Sequence, residues 1–240
     1  PLRIPRPPHP WKLAPRDAIA LQERLARRVR QEPPLHPPRY IAGMDAAFTD
    51  GGRTCVAAVV LWDAEAHKVV DVQLARRRVT FPYIPGLLTF REGPALCHAL
   101  RRLSIRPDAL MCDGQGRAHP RRLGIASHLG VICRLPAVGC AKSILVGTHR
   151  EPGQLRGAWA PLLHRGEIIG MALRTREGSR PVFVSVGHLF DLDSARRLVL
   201  GCVRRYRLPE PTRLADHLVA QVRHTGAAWS SRAAKALMDA

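Results

Sequence analysis

The chain alternates between apolar runs of two kinds. Between residues 40 and 79 three stretches follow one another: YIAGMDAAF, TCVAAVVLW and KVVDVQLARRRV. Each is short, β-branched or small-apolar, and carries no helical stripe, so each predicts a strand. Asp50-Gly51-Gly52 at the first junction favours a tight reversal, and the three together predict an antiparallel meander. Farther on the period changes. Ala95, Leu96, Ala99, Leu100 and Leu103 recur at helical spacing in GPALCHALRRL. DALMCD then predicts a short buried strand, HPRRLGIASHLGVIC a helix and AVGCAKSILVG a strand, with EIIGMALRT and PVFVSVG two more. DLDSARRLVLGCVRRY predicts a helix capped by Asp191, and PTRLADHLVAQV a last one.

Ahead of the meander, residues 1–38 are Pro-rich at both ends. Leu21, Leu25 and Val29 make a helix stripe between them. The expected organisation is a Pro-rich N-terminal segment, 1–38, with one helix packed on the core. A mixed α/β domain occupies 39–224 and a basic tail 225–240. Strands and helices in this order imply a mixed sheet, antiparallel meander plus parallel strands, with helices on both faces.

Charge changes the picture. Thirty-eight Lys and Arg against nineteen Asp and Glu give +19 in 240 residues. Such an excess suits a phosphate backbone through counterion release. The alternatives are arginine written by a GC-rich genome and a structural, ribosome-associated protein. The six cysteines show no C-x-x-C pair and most sit in apolar runs, as buried thiols do. No run reaches transmembrane length and no signal peptide opens the chain, so a soluble, cytoplasmic protein is expected.

Against that charge, four acids stand out. Asp45 lies inside an apolar strand, where a carboxylate is costly unless paired or metal-bound; its rival reading is a solvent-facing side chain. Asp113 ends a strand before Gly114, Gln115 and Gly116, a loop that a ligand could approach or a plain Asp-Gly turn. Glu92 follows the FPYIPGLLTFR stretch, where Thr89-Phe90-Arg91-Glu92 also fits a capping box. Asp216 edges the Leu214–Leu218–Val222 stripe, a position that by itself suits a solvated residue. Taken together, an Asp in the first strand, a Glu after the third, an Asp ending the fourth and an Asp on a late helix repeat the arrangement of ribonuclease H-like nucleases. There such acids converge on Mg²⁺ or Mn²⁺.

At these residues the sequence resembles the endonuclease V family, the deoxyinosine 3′ endonucleases of DNA repair. The blocks AGMDAAF, FPYIPGLLTFRE, DGQGRAHPRRLGIASHLGV, GCAKSILVG, RPVFVSVGHLFDL and YRLPEPTRLAD carry the likeness across about residues 40 to 220. The resemblance implies a ribonuclease H-like fold and a metal-dependent endonuclease acting as a monomer on DNA that contains deoxyinosine. It would hydrolyse the second phosphodiester bond on the 3′ side and leave 3′-OH and 5′-phosphate. It implies Mg²⁺, with Mn²⁺ able to substitute, on Asp45, Glu92, Asp113 and Asp216, and a catalytic set of Asp45, Glu92, Asp113, His119 and Lys142. Pro82, Tyr83, Ile84 and Pro85 resemble a wedge that parts the strands, and backbone around Gly86, Leu88, Gly114 and Gly116 would then form the base pocket. Gln115 and Ser143 depart from the family's usual residues. Inosine-containing RNA as substrate, and a non-catalytic nucleic-acid binder on the same fold, remain open at this stage.

Overall fold

A computed structural model describes residues 4–225. Of the basic tail expected over 225–240, residues 226–240 lie outside the described residues. Helix α1 (Pro15–Ala26) leads into β1 (Tyr40–Thr49), β2 (Thr54–Asp63) and β3 (Lys68–Arg78). Then come α2 (Thr89–Leu100), β4 (Ala109–Cys112), α3 (Ile125–Cys133) and β5 (Ala137–Ala141). Strands β6 (Trp159–His164), β7 (Glu167–Leu173) and β8 (Val182–His188) precede α4 (Leu192–Cys202) and α5 (Glu210–Thr225). One eight-stranded sheet runs β3-β2-β1-β4-β5-β8-β7-β6. Strands β1, β4 and β5 are mutually parallel and the remaining pairings antiparallel. No helix among the described residues is long and apolar enough to cross a membrane.

The nearly continuous apolar run of β2 is explained by burial on both faces. Cys55, Ala57, Val59 and Leu61 pack with residues of α1, α2 and α3, whereas Val56, Ala58 and Val60 pack with α4 and α5. A strand at the centre of a three-layer α/β/α stack cannot afford a polar face.

Several boundaries differ from those the sequence pattern predicts. Helix α2 starts at Thr89 and runs through Gly93 and Pro94. Gly93 packs under Trp11, and a Cβ there would stand 2.4 Å from the indole. Helix α3 starts only at Ile125, because residues 119–124 form a loop in which Arg122 takes φ 56°. Strand β5 stops at Ala141, so residues 142–147 lie beyond its end. Strand β6 is not legible in the sequence. Pro161 sits within it, and an edge position alone lets a strand tolerate a residue with no N–H. The Asp191 cap forms, its Oδ1 accepting from the Ser194 N–H at 2.7 Å.

Candidate active site

The parallel register brings three chain positions to one edge of the sheet. Met44 of β1 pairs with Cys112 of β4, and Cys112 with Gly139 of β5. Asp45, Asp113 and Lys142 follow those positions by one, one and three residues. The Asp113 N–H continues the ladder by donating to the Met44 carbonyl at 2.9 Å. Helix α5 supplies the fourth group. Gly43 has no side chain, and a Cβ there would stand 2.1 Å from the Pro211 carbonyl carbon, so α5 packs directly on the β1 backbone. Five residues later, Asp216 reaches Asp45.

Each of Asp45, Asp113 and Asp216 offers a carboxylate oxygen, and the three lie within 4.8 Å of one another. Burial, reinforced by the charges of Asp113 and Asp216, pushes the Asp45 carboxyl up to about 8. Burial also raises Asp113, against the pull of Lys142. The Lys142 Nζ lies 2.6 Å from Asp113 Oδ2 and 3.0 Å from Asp216 Oδ1. Burial works to lower this ammonium, yet its two carboxylate partners raise it to about 12, so it is a fixed cation at neutral pH.

Glu92 stands outside the 4.8 Å triad but within its field. Burial first, then Asp45 and Asp113, push its carboxyl up to about 8. The capping-box alternative fails on geometry. The residue before α2 is Leu88, itself helical, and no side chain caps the helix. Three crowded oxygens whose anionic forms repel one another, with a fourth carboxyl beside them, make a donor set suited to a hard divalent cation.

Beside the acids is a cavity of about 390 Å³, a size suited to a small ligand. Glu92, Asp113 and Lys142 are among its lining residues. Tyr83, Ile84, Pro85, Gly86 and Leu88 line it too, as do Gly114, Gln115, Ile125, Ile144 and Leu145. Tyr83 is 71% exposed, so it is no core residue, and Pro82 and Pro85 are exposed with it. The turn carrying them ends in Pro85-Gly86, where Gly86 takes φ 79° and the Leu87 N–H donates to the Ile84 carbonyl at 3.0 Å. Those are the marks of a type II turn, which demands glycine at that place.

Two expected residues sit differently. Gly116 does not line the cavity. Its N–H donates to Ser185 Oγ at 2.8 Å and its Cα abuts the Val186 carbonyl, so it serves close packing against β8. His119 lines the cavity wall, but both its ring nitrogens are engaged: Nε2 donates to the Gly86 carbonyl at 3.0 Å and Nδ1 accepts from the Arg121 N–H at 3.2 Å. Burial and the Arg121 charge lower it to about 4, so it is neutral. Gln115, which departs from the family pattern, reaches the other departure: its Nε2 donates to the Ser143 carbonyl at 2.8 Å.

Sequence reasoning missed Arg91, which props the exposed turn from below. Its Nη1 donates to the Phe81 carbonyl at 2.8 Å, and its guanidinium lies 6.0 Å from the Tyr83 ring centroid. It also missed Gln22 and Arg121, both bonded to the Gly86 carbonyl. One arginine among many, or one glutamine in an amphipathic helix, carries no local signal.

Comparison with known proteins gives one consistent match. The profile of the endonuclease V family matches residues 23–217. Endonuclease V of Roseiflexus sp. (strain RS-1) is 51% identical over 214 residues, covering 89% of this chain and 96% of that protein. The crystal structure of endonuclease V from Streptomyces avermitilis superposes with a TM-score of 0.87 at 44% identity, covering 93% of this chain and 99% of that one. Ciona intestinalis endonuclease V, in complex with a 24mer DNA containing an inosine followed by a ribo-adenosine, superposes with a TM-score of 0.73. It is 24% identical and covers 86% of this chain and 96% of that one, a likeness that speaks for the fold alone.

Proposed function

The chain belongs to the endonuclease V family and is a nuclease, and we propose that it is a metal-dependent repair enzyme that cuts DNA at deoxyinosine. The cut falls at the second phosphodiester bond on the 3′ side. Water adds to phosphorus and the bond to the 3′ oxygen breaks, leaving 3′-OH and 5′-phosphate. The observation that carries this reading is the triad of Asp45, Asp113 and Asp216 within 4.8 Å, whose member Asp113 lines, with Glu92, a cavity that an exposed tyrosine also lines.

Asp45, Asp113 and Asp216, with Glu92 adjoining, are the residues that would hold Mg²⁺, with Mn²⁺ as a substitute. When bound, the ion would polarise the phosphoryl group and activate water. Lys142, held between Asp113 and Asp216, donates hydrogen bonds to phosphate oxygens and offsets the charge of the acids. His119 acts by holding the Gly86 corner in place. Tyr83 stacks in the gap left by the extruded base, and its proline neighbours lower the entropy lost on insertion. The base enters the cavity, where backbone at Leu88 and Gly114 and the side chain of Ile125 surround it. The Gly86 carbonyl is already taken by protein donors and contributes shape alone.

Cleavage of inosine-containing DNA, inosine-containing RNA and their unmodified controls, side by side with Mg²⁺ and with chelator, tests this. The expected result is a chelator-sensitive nick in the inosine-containing DNA, with a ligatable 5′-phosphate. Equal cutting of unmodified DNA would remove the lesion reading, and cutting of the RNA alone would move the substrate to RNA.

A further inference from the structure

Gln22 stands in the middle of α1 and is 1% exposed. An amide in a core position is costly unless its groups are satisfied, and these are satisfied at one place. Its Nε2 donates to the Gly86 carbonyl at 2.9 Å and to the Leu123 carbonyl at 3.3 Å, and its Oε1 accepts from Arg121 Nε at 2.6 Å. Arg121 Nη2 and His119 Nε2 donate to the same Gly86 carbonyl, at 2.8 and 3.0 Å. Three donors from two remote segments thus meet on one oxygen.

That oxygen belongs to the glycine that closes the type II turn under Tyr83. Arg91 holds the other end of the turn at the Phe81 carbonyl, while Pro82, Tyr83 and Pro85 themselves are exposed, so Gly86 is the anchor on the cavity side. A leucine at position 22 would bury more cheaply; what only glutamine supplies is a donor to Gly86 together with an acceptor for Arg121.

We infer that Gln22 is a positioning residue for strand separation: through Gly86 it fixes the stance of the Pro82–Pro85 turn against the acid cluster, which makes the N-terminal helix part of the lesion-recognition apparatus. This rests on the function proposed above. The helix holds the turn's base rigid, so that the force of insertion falls on the nucleic acid and the turn does not swing aside.

The test uses Gln22→Leu and Gln22→Glu in the full chain. Glutamate keeps an acceptor for Arg121 but withdraws the donor to Gly86, so it separates a role in the turn from a role in holding Arg121. The first reading is hydrogen exchange at the Leu87 amide, which closes the turn; both variants should exchange about tenfold faster there, with β2 amides unchanged. The second is the ratio of kcat/KM on inosine-containing duplex to that on the same single strand. It should fall about tenfold, with single-strand cleavage within about twofold of the parent. Unchanged Leu87 exchange overturns the inference, as does an equal loss on both substrates, which is what lowered stability alone would give. If Gln22→Leu fails to fold, Gln22→Glu and Arg121→Met carry the same two readings. A parent enzyme that does not prefer inosine-containing duplex would refute the proposed function, while Leu87 exchange would still judge Gln22.

Discussion

An aspartate pressed against two others weakens the protein that carries it until something positive arrives. The folded state holds the Asp45 carboxyl near 8, far above its ordinary range, so folding favours the protonated form. The part of the stability that Asp45 controls is therefore full at low pH and is lost as pH rises from about 4 toward 8. Asp45→Asn should abolish cleavage and raise the Tm of the metal-free protein at pH 8 by about 2–6 °C. Mg²⁺ should raise the Tm of the parent and leave that of the variant nearly unmoved; a variant that melts lower and still responds to Mg²⁺ would refute the assignment. Tyr83 offers the contrasting case, a large side chain with most of its surface in solvent. Tyr83→Ala should leave Tm unchanged and reduce discrimination for inosine-containing duplex by about one to two orders of magnitude, since base–aromatic stacking is worth about 1–3 kcal/mol. The loss should shrink on single strands, and its persistence there would mean Tyr83 does something other than part the pair.

Among the elements, the seat of α5 on β1 does most to assemble the acids. It depends on Gly43, where the backbones of Gly43 and Pro211 leave no space for a methyl group. Gly43→Ala must lift the start of α5 and carry Asp216 away from Asp45. A stability loss of about 1–3 kcal/mol in urea denaturation should accompany a weakened thermal response to Mg²⁺. If stability falls and the Mg²⁺ response is untouched, Asp216 is dispensable to the cation. The elements also differ in how well local sequence marks them. Strands β1 to β3 and helix α4 carry their signals in their own residues. The start of α2 does not, since the exposed turn feeds straight into it through Leu88, whose carbonyl accepts from the Arg91 and Glu92 N–H groups at 2.9 and 3.2 Å.

Across the whole molecule, neutral histidines tie the N-terminal segment to the body. His9 Nδ1 bonds the Pro10 carbonyl at 3.0 Å and must carry the proton, so His9 Nε2 accepts from His128 Nε2 at 2.9 Å. Burial lowers His9, and lowers His119, His128 and His188 to about 4, 3 and 4. Their folded values lie below the unfolded value near 6.5, so the unfolded chain takes up protons first. The histidines' share of the stability should be full above pH 6.5 and fall as pH drops toward 4, opposite in sign to that of Asp45, with exchange at amides of the N-terminal segment and α3 rising earliest; His128→Gln should flatten that decline. The same residues show where local sequence stops being informative. The strand and helix periods, the Asp191 cap, the acid-bearing blocks and the rigid Pro-Tyr-Ile-Pro stretch are readable from sequence because each is a property of neighbours in the chain. Asp216 meeting Asp45, the exclusion of Gly116 from the cavity, the occupied nitrogens of His119 and the reach of Gln22 to Gly86 are contacts between segments up to 171 residues apart. Those contacts are set by sheet order and helix packing, and no local pattern encodes the distances that decide whether a carboxylate binds, repels or is merely buried.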